Sequence, residues 1–143
     1  VVDATGMQLG AQQEAMIRSR LTRRMLELGR PADDDYLAYL RSHLATEIPV
    51  LVSLLTTHHT YFFREFAHFE FLERKGLPSL VAALRAGGRQ RLRVWSAASS
   101  MGQEAYSLSM FLKRQLAVIA PEMTYEILGT DIDTDSIATA RNS

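Results

Sequence analysis

At 143 residues the chain is long enough for one ordinary domain with a core of its own. Lysine plus arginine equals aspartate plus glutamate at 16 each, so the overall charge calls for neither nucleic acid nor a membrane surface. Cysteine is absent, which excludes disulfides and thiolate metal sites and fits a reducing, cytoplasmic compartment.

No apolar run approaches the roughly 20 residues of a membrane span, and no secretory signal pattern opens the chain. The first residue is Val1 rather than Met, as expected of a chain that has been trimmed or begins inside a longer protein. From Arg18 to Arg30 five arginines stand against Glu27, while five acids between Glu122 and Ser143 stand against Arg141. The basic segment carries Ile17, Leu21, Met25 and Leu28 at helical spacing, which predicts an amphipathic helix packed by that stripe. Its arginines are either a solvated face or a docking face for an acidic partner.

Pro31 breaks the pattern, and Asp33 or Asp34 is expected to cap a helix carrying Tyr36, Leu37, Leu40 and Leu44 on one side. Thr46 is expected to cap a third helix with Pro49 in its first turn and Val50, Leu51, Leu54 and Leu55 as its stripe. The polar connector Thr56 to Thr60 leads into Tyr61, Phe62, Phe63 and Arg64. Phe62, Phe66 and Phe69 recur at helical spacing and are expected in the core. Leu77, Leu80, Val81 and Leu84 predict a further helix after Pro78, closed by Gly87 and Gly88. His58 and His59 are adjacent, project in different directions and have no cysteine to join them, so no metal site is expected.

The central stretch is Leu92 to Glu104, LRVWSAASSMGQE. Strand formers (Leu92, Val94, Trp95) give way to small residues and Gly102, then to a helical pattern from Glu104, which reads as strand, tight turn, helix. Small side chains let a ligand approach the backbone, and the helix start presents free amides and a positive dipole end. The pattern is not G-x-G-x-x-G, and any α/β crossover can look like this. A second short strand, Thr124 to Leu128, ends in Gly129, Thr130 and Asp131. An acid there either accepts from a ribose hydroxyl pair or caps the following helix, a duty Asp133 or Thr134 can also fill.

Three runs carry a resemblance to a known family: Thr56 to Arg64 (TTHHTYFFR), Val94 to Ser107 (VWSAASSMGQEAYS) and Gly129 to Asp133 (GTDID). In order and spacing they resemble the CheR family, chemotaxis receptor methyltransferases that use S-adenosylmethionine to methylate glutamates on chemoreceptor helices, releasing S-adenosylhomocysteine. The resemblance implies an α/β fold. It comprises an N-terminal helical subdomain over 1–75, including the T-x-F-F-R run, followed over 76–143 by the start of a Rossmann-like methyltransferase sheet, truncated after its second strand. It also implies site roles. Thr60 and Arg64 border the cofactor's methionine end and the transfer centre, where Arg64 is the expected catalytic residue. Ala98 and Gly102 lie in the turn under the cofactor, Glu104 meets its amino-acid portion, and Asp131 takes its ribose. A carboxylate suits an ammonium, a guanidinium suits a carboxylate, and Asp131 can accept from two hydroxyls. The chain departs from the family in carrying His58-His59 for Asn-Glu, and Met101, Gln103 and Ala105 within the family's S-T-G-E-E-P.

A glutamate side chain has a reference pKa of about 4.3 and is ionised at pH 7, so it can attack a sulfonium methyl without a general base and no catalytic histidine is expected. Parallel strands are normally flanked and covered on both faces. Two alone are therefore expected to be completed by another copy or by further chain. Two functions follow: a protein-glutamate methyltransferase that docks an acidic receptor helix on Arg18, Arg20, Arg23 and Arg24, or a truncated, non-catalytic CheR-like binding or regulatory module.

Overall fold

A computed structural model describes residue 6, residues 10–56 and residues 59–142. It divides into two compact units, Val1–Thr57 and His58–Ser143.

The first unit is helical. After a 3₁₀ turn at Ala11–Gln13 come α1 (Glu14–Glu27), α2 (Asp33–Ser42) and α3 (Leu44–Leu55). Met25, Tyr36 and Leu51, one from each helix, form its centre, with Leu21, Leu28, Tyr39, Leu40 and Leu54 packed around them. The stripe expected on α1 therefore faces inward. Neither Asp33 nor Asp34 caps α2: the capping position is Ala32, and the three aspartates 33–35 lie in the first turn, where their charge complements the helix dipole. Thr46 likewise lies inside α3, because His43 ends one helix and begins the next. That break puts Leu44 on α3, where it is exposed and off the expected α2 face.

The basic face of α1 also differs from expectation. Arg24 donates Nε to Glu47 Oε1 at 3.0 Å and Nη2 to Glu47 Oε2 at 2.8 Å, and Tyr36 adds its hydroxyl to Oε1 at 3.0 Å. Glu47 is 1% exposed, so these three donors are what make its charge tolerable there. The Arg24 bond, more than any other interaction, holds the Glu47 carboxyl below its ordinary range, while burial and then the Glu47 bond push the Tyr36 hydroxyl up. Arg20 donates to the carbonyls of Leu54 and Thr56 at 2.7 and 2.8 Å, satisfying the C-terminal end of α3. Arg20 and Arg24 thus hold the unit together. Among the described residues, Arg18 and Arg23 make exposed pairs within α1, with Glu14 and Glu27.

The second unit begins with α4 (Phe66–Phe71), which runs through a π turn (Leu72–Gly76) into α5 (Leu77–Ala86). Then come β1 (Arg91–Ala97), α6 (Gln103–Ile119), β2 (Thr124–Thr130) and α7 (Thr134–Arg141). The strands pair in parallel, Arg91 opposite Thr124 through Ala97 opposite Thr130, as a strand, crossover helix, strand unit requires. The core collects Phe69, Leu77, Val81, Leu92, Phe111, Leu112, Leu116, Ala120 and Met123. Through Phe69, α4 belongs to this core, so the division of the chain falls ahead of the 75/76 boundary and the run Thr60 to Arg64 lies with the sheet. Phe62 and Phe66, expected inside, are 53% and 63% exposed. On the open face of the sheet Trp95 and Leu128 stand directly opposite each other and are 69% and 56% exposed.

Candidate functional site

The bend after β1 reverses the chain in five residues, and three of them take the left-handed region: Ala98 (φ 60°), Ser100 (φ 49°) and Gly102 (φ 94°). Only at Gly102 is that conformation cheap. A Cβ there would also lie 3.0 Å from Ala140 Cβ and from the Tyr106 ring. The bend closes through Gly102 N–H to Ser99 O at 2.9 Å and is tied to β2 by Ser99 N–H to Thr130 O at 2.9 Å.

Asp131 completes that tie. One carboxylate oxygen accepts the Ser100 N–H at 2.7 Å and the other accepts the Asp133 N–H at 2.9 Å. The cap of α7 is Asp133, whose side chain accepts from Ser136 N–H at 3.0 Å. Of the two duties open to Asp131, helix capping is therefore filled by its neighbour. A carboxylate offers about four acceptor positions, and two backbone amides use two of them.

Glu104, in the first turn of α6, accepts from the hydroxyl of Ser96 at 2.7 Å. Ser96 is 1% exposed and sits on the inward face of β1, so it fixes the carboxylate at the strand's end. Buried within the same segment are Ser100 Oγ and Gln103 Oε1, which have no hydrogen-bond partner among the described residues.

Arg64 belongs to the other run. It lies between two residues in the left-handed region, Phe63 and Glu65, both at φ 55°, and its Nη1 donates to His59 O at 2.7 Å. Phe63 N–H donates to Ser107 Oγ on α6 at 2.9 Å, and that hydroxyl donates to Gln103 O at 2.6 Å. Thr60 is half-buried beside this turn. Thr57 and His58, the other members of the run, lie outside the described residues.

Asp131 is thus joined directly to the bend, Glu104 to Ser96 of the strand before it, and the Arg64 turn to the start of α6. A hollow of about 440 Å³ lies beside the bend between α6, β2 and α7, lined by Gly102 but not by Glu104, Asp131 or Arg64. Sequence reasoning passed over Ser96 and Ser107. Their signal was present, since each is a small polar residue on the inward phase of an otherwise apolar strand or helix.

Two family models match the chain, "CheR methyltransferase, all-alpha domain" over 1–56 and "CheR methyltransferase, SAM binding domain" over 58–143. The chain belongs to the CheR family. Among curated proteins it is 32% identical to a chemotaxis protein methyltransferase of Borreliella burgdorferi, with 95% of this chain and 48% of that protein aligned. It is 38% identical to a probable chemotaxis protein methyltransferase of Rhizobium etli (95% and 50%). With the Escherichia coli chemotaxis protein methyltransferase it shares 35% identity (99% and 46%). The chain spans about half the length of these CheR relatives.

The residues present fit a CheR cofactor. S-adenosylmethionine carries an ammonium, a carboxylate and a ribose diol, and here stand an oriented carboxylate at Glu104, a guanidinium at Arg64 and acceptor capacity at Asp131. The unpartnered Ser100 Oγ and Gln103 Oε1 are further polar atoms at the same bend. Among the described residues no helix is long and apolar enough to cross a membrane.

Proposed function

We propose that this chain carries the donor-binding start of an S-adenosylmethionine-dependent protein-glutamate O-methyltransferase that modifies chemoreceptors. The observation that carries the reading is the Asp131 carboxylate bonded to the Ser100 amide at 2.7 Å, which supports one shared site at the heads of β1 and β2. In this reading Glu104, fixed by Ser96, takes the donor's ammonium. Asp131 takes the ribose hydroxyls. Thr60 and Arg64 border the methionine end, with Arg64 the catalytic residue that orients a carboxylate. Ala98 and Gly102 let the donor lie close to the backbone. When bound, S-adenosylmethionine supplies a methyl group on an electrophilic sulfonium. The acceptor carboxylate is already ionised at pH 7, so the protein's work is orientation and exclusion of water.

An acidic receptor helix docks on α1 through Arg18 and Arg23, whose side chains are 75% and 73% exposed. The open sheet face and strand edges are a surface for association with a second copy, and a cytoplasmic location accompanies the reading. Calorimetric titration of the chain with S-adenosylhomocysteine tests the site. Micromolar binding that Asp131→Ala abolishes supports a working donor site; silence supports a CheR-like module without catalysis. Transfer of a labelled methyl group to receptor peptides with glutamate, but not with glutamine, tests the acceptor. Sedimentation tests self-association.

A further inference from the structure

We propose that Ser107 is a positioning residue that sets Arg64 against the bend, a role that rests on the donor-site reading above. Arg64 belongs to a turn that the chain does not adopt by preference, since Phe63 and Glu65 on either side of it are both left-handed at φ 55°. For a bulky residue such as Phe63 that conformation is costly and lasts only where surrounding contacts impose it. Two contacts on Phe63 do so. Its ring stands edge-on to Phe69 at 5.1 Å, and Phe69 in turn packs on Phe111 at 5.5 Å. Its amide donates to Ser107 Oγ at 2.9 Å.

The aromatic contact fixes where Phe63 lies and leaves its peptide plane able to rotate. The hydrogen bond fixes that plane, the one that enters Phe63, and so holds the left-handed φ from which the chain runs on to Arg64. Ser107 is suited to this because it is 0% exposed and its hydroxyl proton is already committed to Gln103 O at 2.6 Å, which turns its lone pairs toward Phe63. Gln103 is the first residue of α6 and directly follows Gly102 of the bend. One turn of helix therefore joins the Arg64 loop to the segment that carries Glu104, and Ser107 is the link between them.

The test uses Ser107→Ala, which removes one buried oxygen and favours the helix, alone and combined with Arg64→Ala. S-adenosylhomocysteine affinity is read by calorimetry, Phe63 amide exchange by NMR and global stability by thermal unfolding. Ser107→Ala is expected to weaken binding about tenfold, the scale of one hydrogen bond. It should also speed exchange at the Phe63 amide while α6 amides stay protected, and it should cost nothing further in the Arg64→Ala background. Binding within twofold of the unmodified chain overturns the positioning role while leaving the donor site standing, and so does an equal loss with and without Arg64. An unmodified chain that does not bind S-adenosylhomocysteine overturns the donor-site reading and the positioning role with it. Unchanged exchange at Phe63 overturns the tie itself.

Discussion

Asp131→Asn separates the two duties that converge on one side chain. In the folded chain the carboxylate receives two backbone amides, Ser100 at 2.7 Å and Asp133 at 2.9 Å. An asparagine keeps one carbonyl oxygen and turns an NH₂ toward the other amide, so one bond is lost and two donors face each other. A hydrogen bond to a charged group contributes about 1.5–3 kcal/mol, and because Asp131 is half-buried, with water able to replace part of the loss, the lower end applies. Asp131→Asn should therefore destabilise the sheet-bearing unit by about 2 kcal/mol, and Asp131→Ala, which removes both bonds, by about 3 kcal/mol. For a domain of this size the asparagine variant should melt roughly 8–16 °C lower, leaving a folded protein at room temperature. Circular dichroism melts give that loss, and calorimetry at 15 °C then reads S-adenosylhomocysteine binding on the folded variant. Affinity falling tenfold or more in protein that is still folded assigns the carboxylate a direct part in holding the ligand. Asp131→Asn with unchanged melting and unchanged affinity would refute both the staple and the donor contact.

Glu47→Ala strands Arg24 and the Tyr36 hydroxyl in the helical unit and should cost about 3–5 kcal/mol by urea unfolding; a loss below about 1 kcal/mol would show that the pair is not needed. The pH dependence runs in two directions. Glu47 has its folded pKa depressed below the ordinary 4.5, so its contribution is complete above that value and is lost as pH falls through the lowered one. Tyr36 has its folded pKa raised above the ordinary 10.0, so its contribution is complete below 10.0 and is lost as pH rises through the raised one. Melting curves across pH should show an acid limb that Glu47→Gln flattens and an alkaline limb that Tyr36→Phe flattens. Gly102→Ala meets both an unfavourable φ and two neighbours at 3.0 Å, and should lower the melting temperature more than Gly88→Ala, where φ is +65° and none of the described residues lies within 4 Å. Arg64→Ala, at an exposed position, should leave melting unchanged and weaken S-adenosylhomocysteine binding about tenfold to a still measurable level; near-normal binding would remove Arg64 from the site.

Local rules made part of this legible. The stripe of α1 followed from its 3.6-residue period, and the parallel pair from two short apolar runs separated by a helical pattern and small-residue turns. What failed depended on where a helix changes phase or on a partner far along the chain. Phe62 shares helical spacing with Phe69, yet the left-handed residues Phe63 and Glu65 break the chain between them and restart the helix at Phe66, whose own ring is exposed while Phe69 is buried. Leu44 left its expected face for the same reason, at His43. Arg20 and Arg24 read as surface charge because neither the buried Glu47 nor the open carbonyls at the end of α3 can be seen from spacing within α1.

Among the described residues four non-glycine positions adopt positive φ, and all four lie in two short segments: Phe63 and Glu65 around Arg64, Ala98 and Ser100 in the bend. Each left-handed non-glycine residue costs on the order of 1–3 kcal/mol, so strain on this scale persists only where the surroundings impose it. The imposing contacts are identifiable: Ser107 and the Phe69 ring for Phe63, Asp131 for Ser100, and the Ser99 to Thr130 bond for the bend. A crossover that served only to connect β1 to α6 could place glycine at positions 98 and 100 and avoid the cost. The chain instead keeps side chains there, turns a carboxylate from the next strand to brace one of them, and ties the arginine turn to the same helix. That combination is what a site needs when backbone amides and charged groups must meet a ligand already in place, with little reorganisation left to occur on binding.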